Sequence, residues 1–422
     1  MIMTHLRIKL SSLAVGAALA GISTGAFAGG FGIATQSGSG TGNAFSGGAA
    51  VADDASVAWS NPAGMSLLPS GKQVAFAGHL LKPSFKFQDQ GSTIPPAFGS
   101  GNGGDGGDWA LVPNGFFTME INPQLRFGVA LNVPFGLKTE YDNGWRGQLT
   151  ALKSEIKTVN INPSIAYKVN NNVSIGAGVS VQKIEAELSS FSGVGALGNA
   201  VLEADDVGYG FNLGVMFQPD ANMRIGLTYR SKIKYELEGS AQFTGVAGAP
   251  FNGSVKADLK VPDSASLSYF RTVGPKWEVM ADITWTGWSS VKRLDVIRTT
   301  ASAGGAAGST FTSLIFNWND TWRYGVGANY KLNSQTKLRF GIALDETPTN
   351  DRDRTARLPD QDRTWIAFGV QYKPSKAGVL EVGYAHEFIR DARVSNATAA
   401  GTLTGSFENT ADILSIQYSH SF

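Results

Sequence analysis

The chain has 422 residues, 52 of them glycine, no cysteine, and 35 basic against 34 acidic side chains. The lack of cysteine excludes disulfide cross-links, thiolate catalysis and cysteine-bound zinc. A net charge of +1 gives no basic surface for nucleic acid. Hydrophobic residues make up 42% of the chain, too many for a disordered polyampholyte.

Residues 1–28 are predicted to be a secretory signal peptide. Arg7 and Lys9 form a positive region, an apolar run follows over residues 10–22, and residues 26–28 fit the small-x-small cleavage rule. A membrane anchor is the alternative, but the apolar run is short. No later stretch of about 18 apolar residues exists, so the mature protein is either soluble outside the cytoplasm or a membrane β-barrel.

Residues 29–72 contain no alternating pattern and are rich in glycine, serine and alanine. Their scattered apolar side chains, such as Phe31, Ile33 and Trp59, need burial. A periplasmic tail is possible, but we favour a plug, or hatch, inside a barrel wide enough to leave a lumen.

From about residue 73 to Phe422 the sequence alternates with period two in long segments. One face is apolar and the other is small or polar, which is typical of outer-membrane barrels. The clearest apolar face contains Val207, Tyr209, Phe211, Leu213, Val215 and Phe217.

Six short turns alternate with seven long, glycine-rich polar loops, and together they join fourteen strands. The loops are predicted near residues 91–108, 135–150, 189–205, 239–254, 291–313, 347–360 and 392–408. We therefore predict an all-β fold, a 14-stranded antiparallel transmembrane β-barrel over 73–422, plugged by an N-terminal hatch over 29–72.

Two motifs in the predicted hatch, Asp53-Asp54-Ala55 and Asn61-Pro62-Ala63-Gly64-Met65, resemble the outer-membrane long-chain fatty acid transporter family. That family also includes porters of toluene and other aromatic hydrocarbons. Four stretches further along match the family pattern in order, at residues 134–141, 157–164, 318–324 and 359–363. The resemblance implies a hatch-plugged barrel in the outer membrane that takes up hydrophobic molecules. It also implies sideways release through a gap made by an inward kink in the third strand.

Prolines support a kink at that place. Proline cannot donate to a β-ladder, yet Pro83, Pro113, Pro134 and Pro163 all fall within the first four predicted strands. Pro134 lies between Asn132 and Gly136 in the third. We expect Asn132 to cap a freed backbone group and Gly136 to adopt an unusual φ.

Within the hatch, Asn61, Pro62 and Ala63 are predicted to form a tight turn or helix start that pins the hatch to the wall or contacts ligand. Asp53 and Asp54 are expected to form ion pairs with arginines of the lumen. The resemblance places Phe31 near the ligand pocket.

A fatty acid carries a carboxylate, so its site needs a cation in an apolar cavity. The candidates are Lys183, Arg323 and Arg363, each of which could instead be solvated or internally paired. A basic position of the family falls on Asn319 here, which leaves room for an uncharged hydrocarbon.

The loops near 189–205 and 239–254 carry spaced apolar residues. Phe191, Leu197 and Phe251 are predicted to line an exposed groove that first captures ligand.

No zinc-protease, serine-hydrolase or phosphate-loop motif is present. We predict a passive, monomeric channel in the bacterial outer membrane, not an enzyme, with no cofactor or metal. Its partners would be a hydrophobic small molecule and the surrounding lipopolysaccharide and outer-membrane lipid. The alternatives are an aromatic hydrocarbon porter and a structural or adhesive barrel without substrate.

Overall fold

The computed structural model describes residues 29–422; the predicted signal peptide lies outside the described residues. Twenty β-segments make up one antiparallel sheet. They are β1 (Lys72–Asp89), β2 (Ala110–Asn122), β3 (Leu125–Asn132), β4 (Gly136–Glu140), β5 (Lys153–Lys168), β6 (Val173–Phe191), β7 (Asn199–Asp220), β8 (Met223–Arg230), β9 (Ile233–Phe243), β10 (Gly253–Val261), β11 (Ser264–Val273), β12 (Trp277–Thr286), β13 (Arg293–Arg298), β14 (Thr310–Ile315), β15 (Thr321–Lys331), β16 (Thr336–Asp345), β17 (Arg363–Tyr372), β18 (Gly378–Ile389), β19 (Ala392–Thr398) and β20 (Gly401–Ser421).

These segments run as fourteen passes, six of which are interrupted: the third, seventh, eighth, ninth, tenth and thirteenth. The first and last passes pair along nearly their whole length, from Gln73 opposite Ser421 to Asp89 opposite Gly405. This pairing closes the sheet, so the predicted 14-stranded antiparallel barrel is confirmed.

The predicted alternation is also present. All six apolar residues expected on one face of β7 are exposed, and Tyr209 reaches 71%. Gly208, its neighbour on the other face, is buried. An apolar outer face is what contact with lipid requires.

Five of the predicted long loops include strand residues. The segment near 135–150 contains β4, and that near 291–313 contains β13 and the start of β14. Three others were predicted too long. The segment near 189–205 is a loop only over 192–198, that near 239–254 only over 244–252, and that near 392–408 is a turn at 399–400. The ladders continue past the apolar band with polar outward residues such as Glu203 and Asp205. Because a solvent-exposed outer face does not alternate in hydropathy with the inner face, the sequence beyond the apolar band resembles that of a loop.

Residues 29–71 precede the wall and are mostly buried. They include one-turn helices at Gly38–Thr41, Gly48–Val51 and Val57–Ser60, and a 3-10 helix at Pro62–Leu67. These elements contact passes all round the barrel, including the second, fifth, seventh, twelfth and fourteenth. The segment therefore occupies the lumen; its role as a hatch stays a prediction.

Candidate functional site

The third pass is interrupted at the position of the predicted kink. β3 ends at Asn132 and β4 begins at Gly136. The two halves pair with β5 in registers that differ by one residue, Asn132 opposite Asn160 and Gly136 opposite Lys157. The third pass thus carries one extra residue, as a β-bulge does.

This interruption also separates the third pass from the second. β2 pairs with β3 only as far as Gly115 opposite Leu131, and the described ladder of β4 is with β5. We call this discontinuity between the second and third passes the wall break.

The N-terminal segment, residues 29–36, crosses the inner side of the wall break. The Ile33 N–H donates to the Pro134 carbonyl (2.8 Å), and the Gly136 N–H donates to the Phe31 carbonyl (2.9 Å). Gly136 does not adopt a positive φ, so that expectation was wrong. Its contribution is a backbone donor that the N-terminal segment satisfies.

Side chains add to this contact. The Gln36 Nε2 donates to the Val133 carbonyl (2.9 Å) and the Asn132 Nδ2 donates to the Gln36 Oε1 (2.7 Å). From the second pass, the Asn114 Nδ2 donates to the Thr35 carbonyl (3.0 Å). Asn132 therefore bonds to a side chain of the lumen segment rather than capping the freed backbone.

Phe31 lies at the centre of an aromatic cluster. It is 4% exposed, and its ring centroid is 4.9 Å from that of Trp288, 5.6 Å from Trp318 and 5.8 Å from Phe135. Cavities lie on two sides of this cluster.

The first, the apolar cavity, is lined mainly by leucine and aromatic side chains: Phe31, Leu137, Ile156, Leu188, Leu237, Leu259, Leu294, Leu314, Phe316 and Trp318, with Arg354 and Arg357 at the loop of residues 346–362. The second, the polar cavity, is lined by residues that include Gln36, Pro134, Phe135, Arg230, Trp288, Arg323 and Asp345.

The two arginines of the apolar cavity differ in their partners. Arg354 forms an ion pair with Asp351. The Arg357 Nη1 donates to oxygens of Lys153, Ser154 and Ser189 at 3.0–3.2 Å. Burial lowers the pKa of Arg357 to about 10, so its guanidinium stays charged at neutral pH.

Arg357 was not among the predicted site residues, because the surrounding loop is polar and was expected to face solvent. Its neighbours Ala356 and Leu358 are buried. That apolar flanking on both sides was the available signal of burial.

The predicted cations lie in different places. Lys183 is on the outer face of β6, half exposed, with its Nζ 2.7 Å from Glu185. Arg323 faces the lumen, where it pairs with Asp282 (3.3 Å) and donates to the Ala44 carbonyl. Lys183 therefore does not lie in an apolar cavity, and Arg323 is internally paired.

Arg363 is buried at the start of β17 and forms ion pairs with Asp360 and with Glu387 (2.8 Å). The Gly30 N–H donates to the other carboxylate oxygen of Asp360 (2.7 Å). Arg363 thus fixes the carboxylate that holds the start of the N-terminal segment.

Asn61 binds the lumen segment to the wall. Its side-chain oxygen accepts from the Ala63 N–H (3.1 Å), and its Nδ2 donates to the Val215 carbonyl (3.1 Å). Pro62 begins the 3-10 helix. A Cβ on Gly214 would lie 2.1 Å from the Asn61 oxygen, so the close approach requires glycine there, which the sequence did not reveal.

The two hatch aspartates have different partners. Asp53 lies 3.2 Å from Arg339 and 3.5 Å from Lys337. Burial alone would raise the pKa of Asp53, but these two charges lower it below its usual range. Asp54 instead accepts from the Gln417 Nε2 (3.0 Å), and no arginine of residues 29–422 forms an ion pair with it within 4.0 Å.

At the outer end, Leu197 and Phe251 lie on neighbouring loops. The Gly245 N–H donates to the Leu197 carbonyl (2.8 Å), which joins these two loops. Phe191, at the end of β6, is bonded through its N–H to Gln148 of a third loop (2.7 Å). All three side chains are partly buried; their capture role stays a prediction.

A closed fourteen-pass barrel with an apolar outer face and an apolar cavity in its lumen defines a class, the outer-membrane channels for hydrophobic compounds. The chain belongs to the outer membrane protein transport protein family (OMPP1/FadL/TodX), whose model matches residues 19–422. It is an outer-membrane transporter of hydrophobic compounds.

Several relatives share most of the chain. The long-chain fatty acid transport protein of Escherichia coli O6:H1 is 27% identical over 98% of each chain. Outer membrane protein P1 of Haemophilus influenzae is 30% identical over 86% of each. A crystal structure of a Pseudomonas aeruginosa FadL homologue matches 93% of this chain and 100% of its own, with a TM-score of 0.83 and 25% identity. The Ralstonia pickettii toluene transporter TbuX shares the fold, with a TM-score of 0.66 and 20% identity over 90% of this chain and 98% of its own.

Proposed function

We propose that this protein carries long-chain fatty acids across the outer membrane and releases them sideways through the wall break. One observation carries the proposal: the N-terminal segment touches both the apolar cavity and the break. The Phe31 ring lines the cavity, while the backbone of Phe31 and Ile33 bonds to the third pass.

These two contacts couple ligand binding in the apolar cavity to opening of the wall break. A fatty acid that enters the apolar cavity and displaces Phe31 also pulls the backbone of the segment away from Pro134 and Gly136. Each of these buried hydrogen bonds contributes about 0.5–1.5 kcal/mol net, and a buried group left without a partner costs about 1–3 kcal/mol. Burial of an acyl chain, at roughly 0.8 kcal/mol per CH₂, offsets a loss of this size.

The chemistry of the membrane favours a gap that can close. A backbone group left unsatisfied in lipid costs several kcal/mol, so a permanently open break would be costly. In the closed state the N-terminal segment satisfies the freed groups. In the open state the acyl chain fills the gap on its way out.

Capture comes first. Phe191, Leu197 and Phe251 at the outer loops would hold ligand before it reaches the cavity. Lipopolysaccharide around a monomeric barrel makes the outer leaflet a poor solvent for acyl chains, so a protein surface is needed there.

Fatty acids are the favoured substrate because two relatives that match 98% and 89% of this chain are named long-chain fatty acid transport proteins. An aromatic hydrocarbon is the second candidate, since the rings of Phe31, Phe316 and Trp318 line the cavity. The family consists of transport proteins, which argues against a structural barrel without substrate.

The test is uptake of labelled oleate and of labelled toluene by cells that lack their own porter and express this protein. We expect oleate uptake to rise well above the empty-vector level and toluene uptake to stay at that level. The reverse result would identify a hydrocarbon porter. No rise for either compound, with the protein present at the surface, would contradict the proposal.

A further inference from the structure

Near the start of the N-terminal segment, the lumen side of residues 29–422 carries more buried carboxylates than cations. Arg323 pairs with Asp282 (3.3 Å). Arg363 pairs with both Asp360 and Glu387. We call the four carboxylates at this place the acidic cluster: Asp282, Asp345, Asp360 and Glu387. Four negative charges thus share two positive ones, and a charge held away from water without a counter-charge is costly.

Asp345 is the member of the acidic cluster that lacks a cation of its own. In the barrel ladder it stands opposite Arg323 on one side and Arg363 on the other. Both guanidinium groups turn to other carboxylates, and in the part of the chain that the structure describes no cation lies within 4.0 Å of Asp345. Its Oδ2 is buried and makes no hydrogen bond there, and the Trp365 indole N–H is near it but outside hydrogen-bond geometry. Asp345 is therefore able to take a further cation.

Gly29 lies beside this carboxylate. A Cβ built on Gly29 would be 3.6 Å from the Asp345 Oδ1 and 2.7 Å from the Glu346 carbonyl oxygen. The next N–H along the chain, that of Gly30, donates to the Asp360 Oδ2 (2.7 Å). The predicted cleavage after residue 28 makes Gly29 the first residue of the mature chain, and an α-amino group is mostly charged at neutral pH. Removal of the signal peptide would therefore create a cation at this place.

We propose that the α-ammonium group of Gly29, freed by signal-peptide cleavage, is the counter-charge of Asp345 and fixes the start of the N-terminal segment to the barrel wall. The ion pair lies two residues before Phe31, whose carbonyl accepts the Gly136 N–H at the wall break. Processing at this exact bond thereby completes the closed state of the wall break. The inference concerns the chain's own start, so it holds for a fatty acid and for a hydrocarbon as cargo.

The experiment moves or removes one charge of the pair. One glycine inserted before Gly29 displaces the ammonium by about 3.5 Å, and Asp345→Asn removes the carboxylate charge. We expect hydrogen exchange of the peptide of residues 29–36, in the purified full-length barrel, to quicken about tenfold or more in each variant. The two changes together should add little to either alone, because they break the same pair.

Glu346→Gln is the matched control. Glu346 is the next residue along the chain, is exposed, and accepts the Trp322 N–H through its Oε2 (2.9 Å), a bond that a glutamine oxygen can keep. This variant should exchange as wild type does. Unchanged exchange in Asp345→Asn, or additive effects in the combined variant, would overturn the inference.

A second measurement needs no change at Asp345, so it decides the matter even where Asp345→Asn fails to fold. An amine-reactive ester at pH 7 labels α-amino groups before lysines, and mass spectrometry of the first peptide reads both the label and the first residue. We expect Gly29 to be labelled at least tenfold more slowly in the wild-type barrel than the added glycine in the inserted variant. Equal rates, or a mature chain that begins at another residue, would overturn the inference.

Discussion

Two interruptions of the barrel wall have the same one-residue register shift. They differ in the groups that bond to the freed backbone. In the seventh pass β8 ends at Arg230 and β9 begins at Ile233. The register with β7 shifts by one residue, from Asn212 opposite Arg230 to Asp205 opposite Glu238. The third and seventh passes thus each carry one extra residue against a continuous neighbour.

At the seventh-pass interruption, the freed backbone groups bond to other residues of the barrel wall. The Ser231 N–H donates to the Phe211 carbonyl (2.9 Å), and the Asp206 carboxylate accepts the Glu236 N–H (2.7 Å). A Cβ on Gly208 would lie 2.3 Å from the Ile233 side chain, so the two are in close contact. These groups cannot leave without unfolding the strands.

The wall break in the third pass is filled by a segment outside the wall. Residues 31–36 provide its partners, and they can withdraw while the strands stay paired. An extra residue in a strand therefore does not by itself make an opening. What matters is whether the group that satisfies the freed backbone can move, and we therefore expect only the third-pass break to open.

The largest effect should come from removing the extra residue. Deleting Pro134 brings Asn132 and Gly136 into one register with β5, so a continuous third strand can form. We expect oleate uptake to fall at least tenfold, because the route through the wall closes, while surface expression and heat stability persist. Uptake at the wild-type rate through this variant would point to release straight down past the lumen segment.

A second large effect concerns the lumen. Deleting residues 29–66 removes the elements that fill it, so we expect a folded barrel with raised leakage of small polar solutes. Entry of a small hydrophilic antibiotic into expressing cells measures this. Unchanged leakage from a folded, surface-exposed barrel would contradict the plug prediction.

A moderate effect should separate the two interruptions. Gln36→Ala removes two hydrogen bonds at the wall break, at a cost of about 1–3 kcal/mol. Hydrogen exchange of the peptide covering residues 29–36 should quicken about tenfold or more. Ser231→Ala is the matched change at the seventh pass, because it removes the hydroxyl that accepts the Phe211 N–H (2.9 Å). We expect it to lower heat stability without changing exchange in the peptide of residues 29–36. Equal hydrogen exchange of this peptide in the two variants would contradict the difference between the third-pass and seventh-pass interruptions.

The smallest effect is expected at the outer loops. Replacing Phe191, Leu197 and Phe251 by serine removes partly buried apolar surface, so oleate binding should weaken about three- to tenfold. The melting temperature of the barrel should not change. Unaltered binding would argue against capture at these loops.

The barrel was predictable because alternation is a local property. The outward residues of β7 follow period two through the whole membrane band, and the turns mark each reversal. The predicted loop bounds were wrong where the outer face becomes solvent-exposed, at Glu203 and Asp205. Strand pairing continues there without an alternating pattern in the sequence.

The site was less predictable. Pro134 and Pro163 were equivalent in sequence, yet β5 runs through Pro163 without interruption. The Asn162 side chain donates to the Val179 carbonyl (2.7 Å) beside it. Arg357 and Gly214 gain their roles from partners more than 150 residues away, Ser154 and Asn61, and no local pattern in one sequence carries that information.

The central claim, that the N-terminal segment must leave the third pass for transport, can be tested with one disulfide. Gly32 and Phe135 form an isolated antiparallel bridge between the two. They sit between the bonds of Ile33 and Gly136, a pair type with a Cα separation of about 4.5 Å, within disulfide range. The chain has no cysteine of its own, so no other disulfide competes.

The measurement is oleate uptake by Gly32→Cys with Phe135→Cys, before and after reduction, beside each single-cysteine variant. We expect that oxidation of the double variant lowers uptake at least tenfold, that a reductant restores it, and that neither single variant responds. Wild-type uptake by the fully oxidised double variant would show that transport does not require the N-terminal segment to leave the third pass.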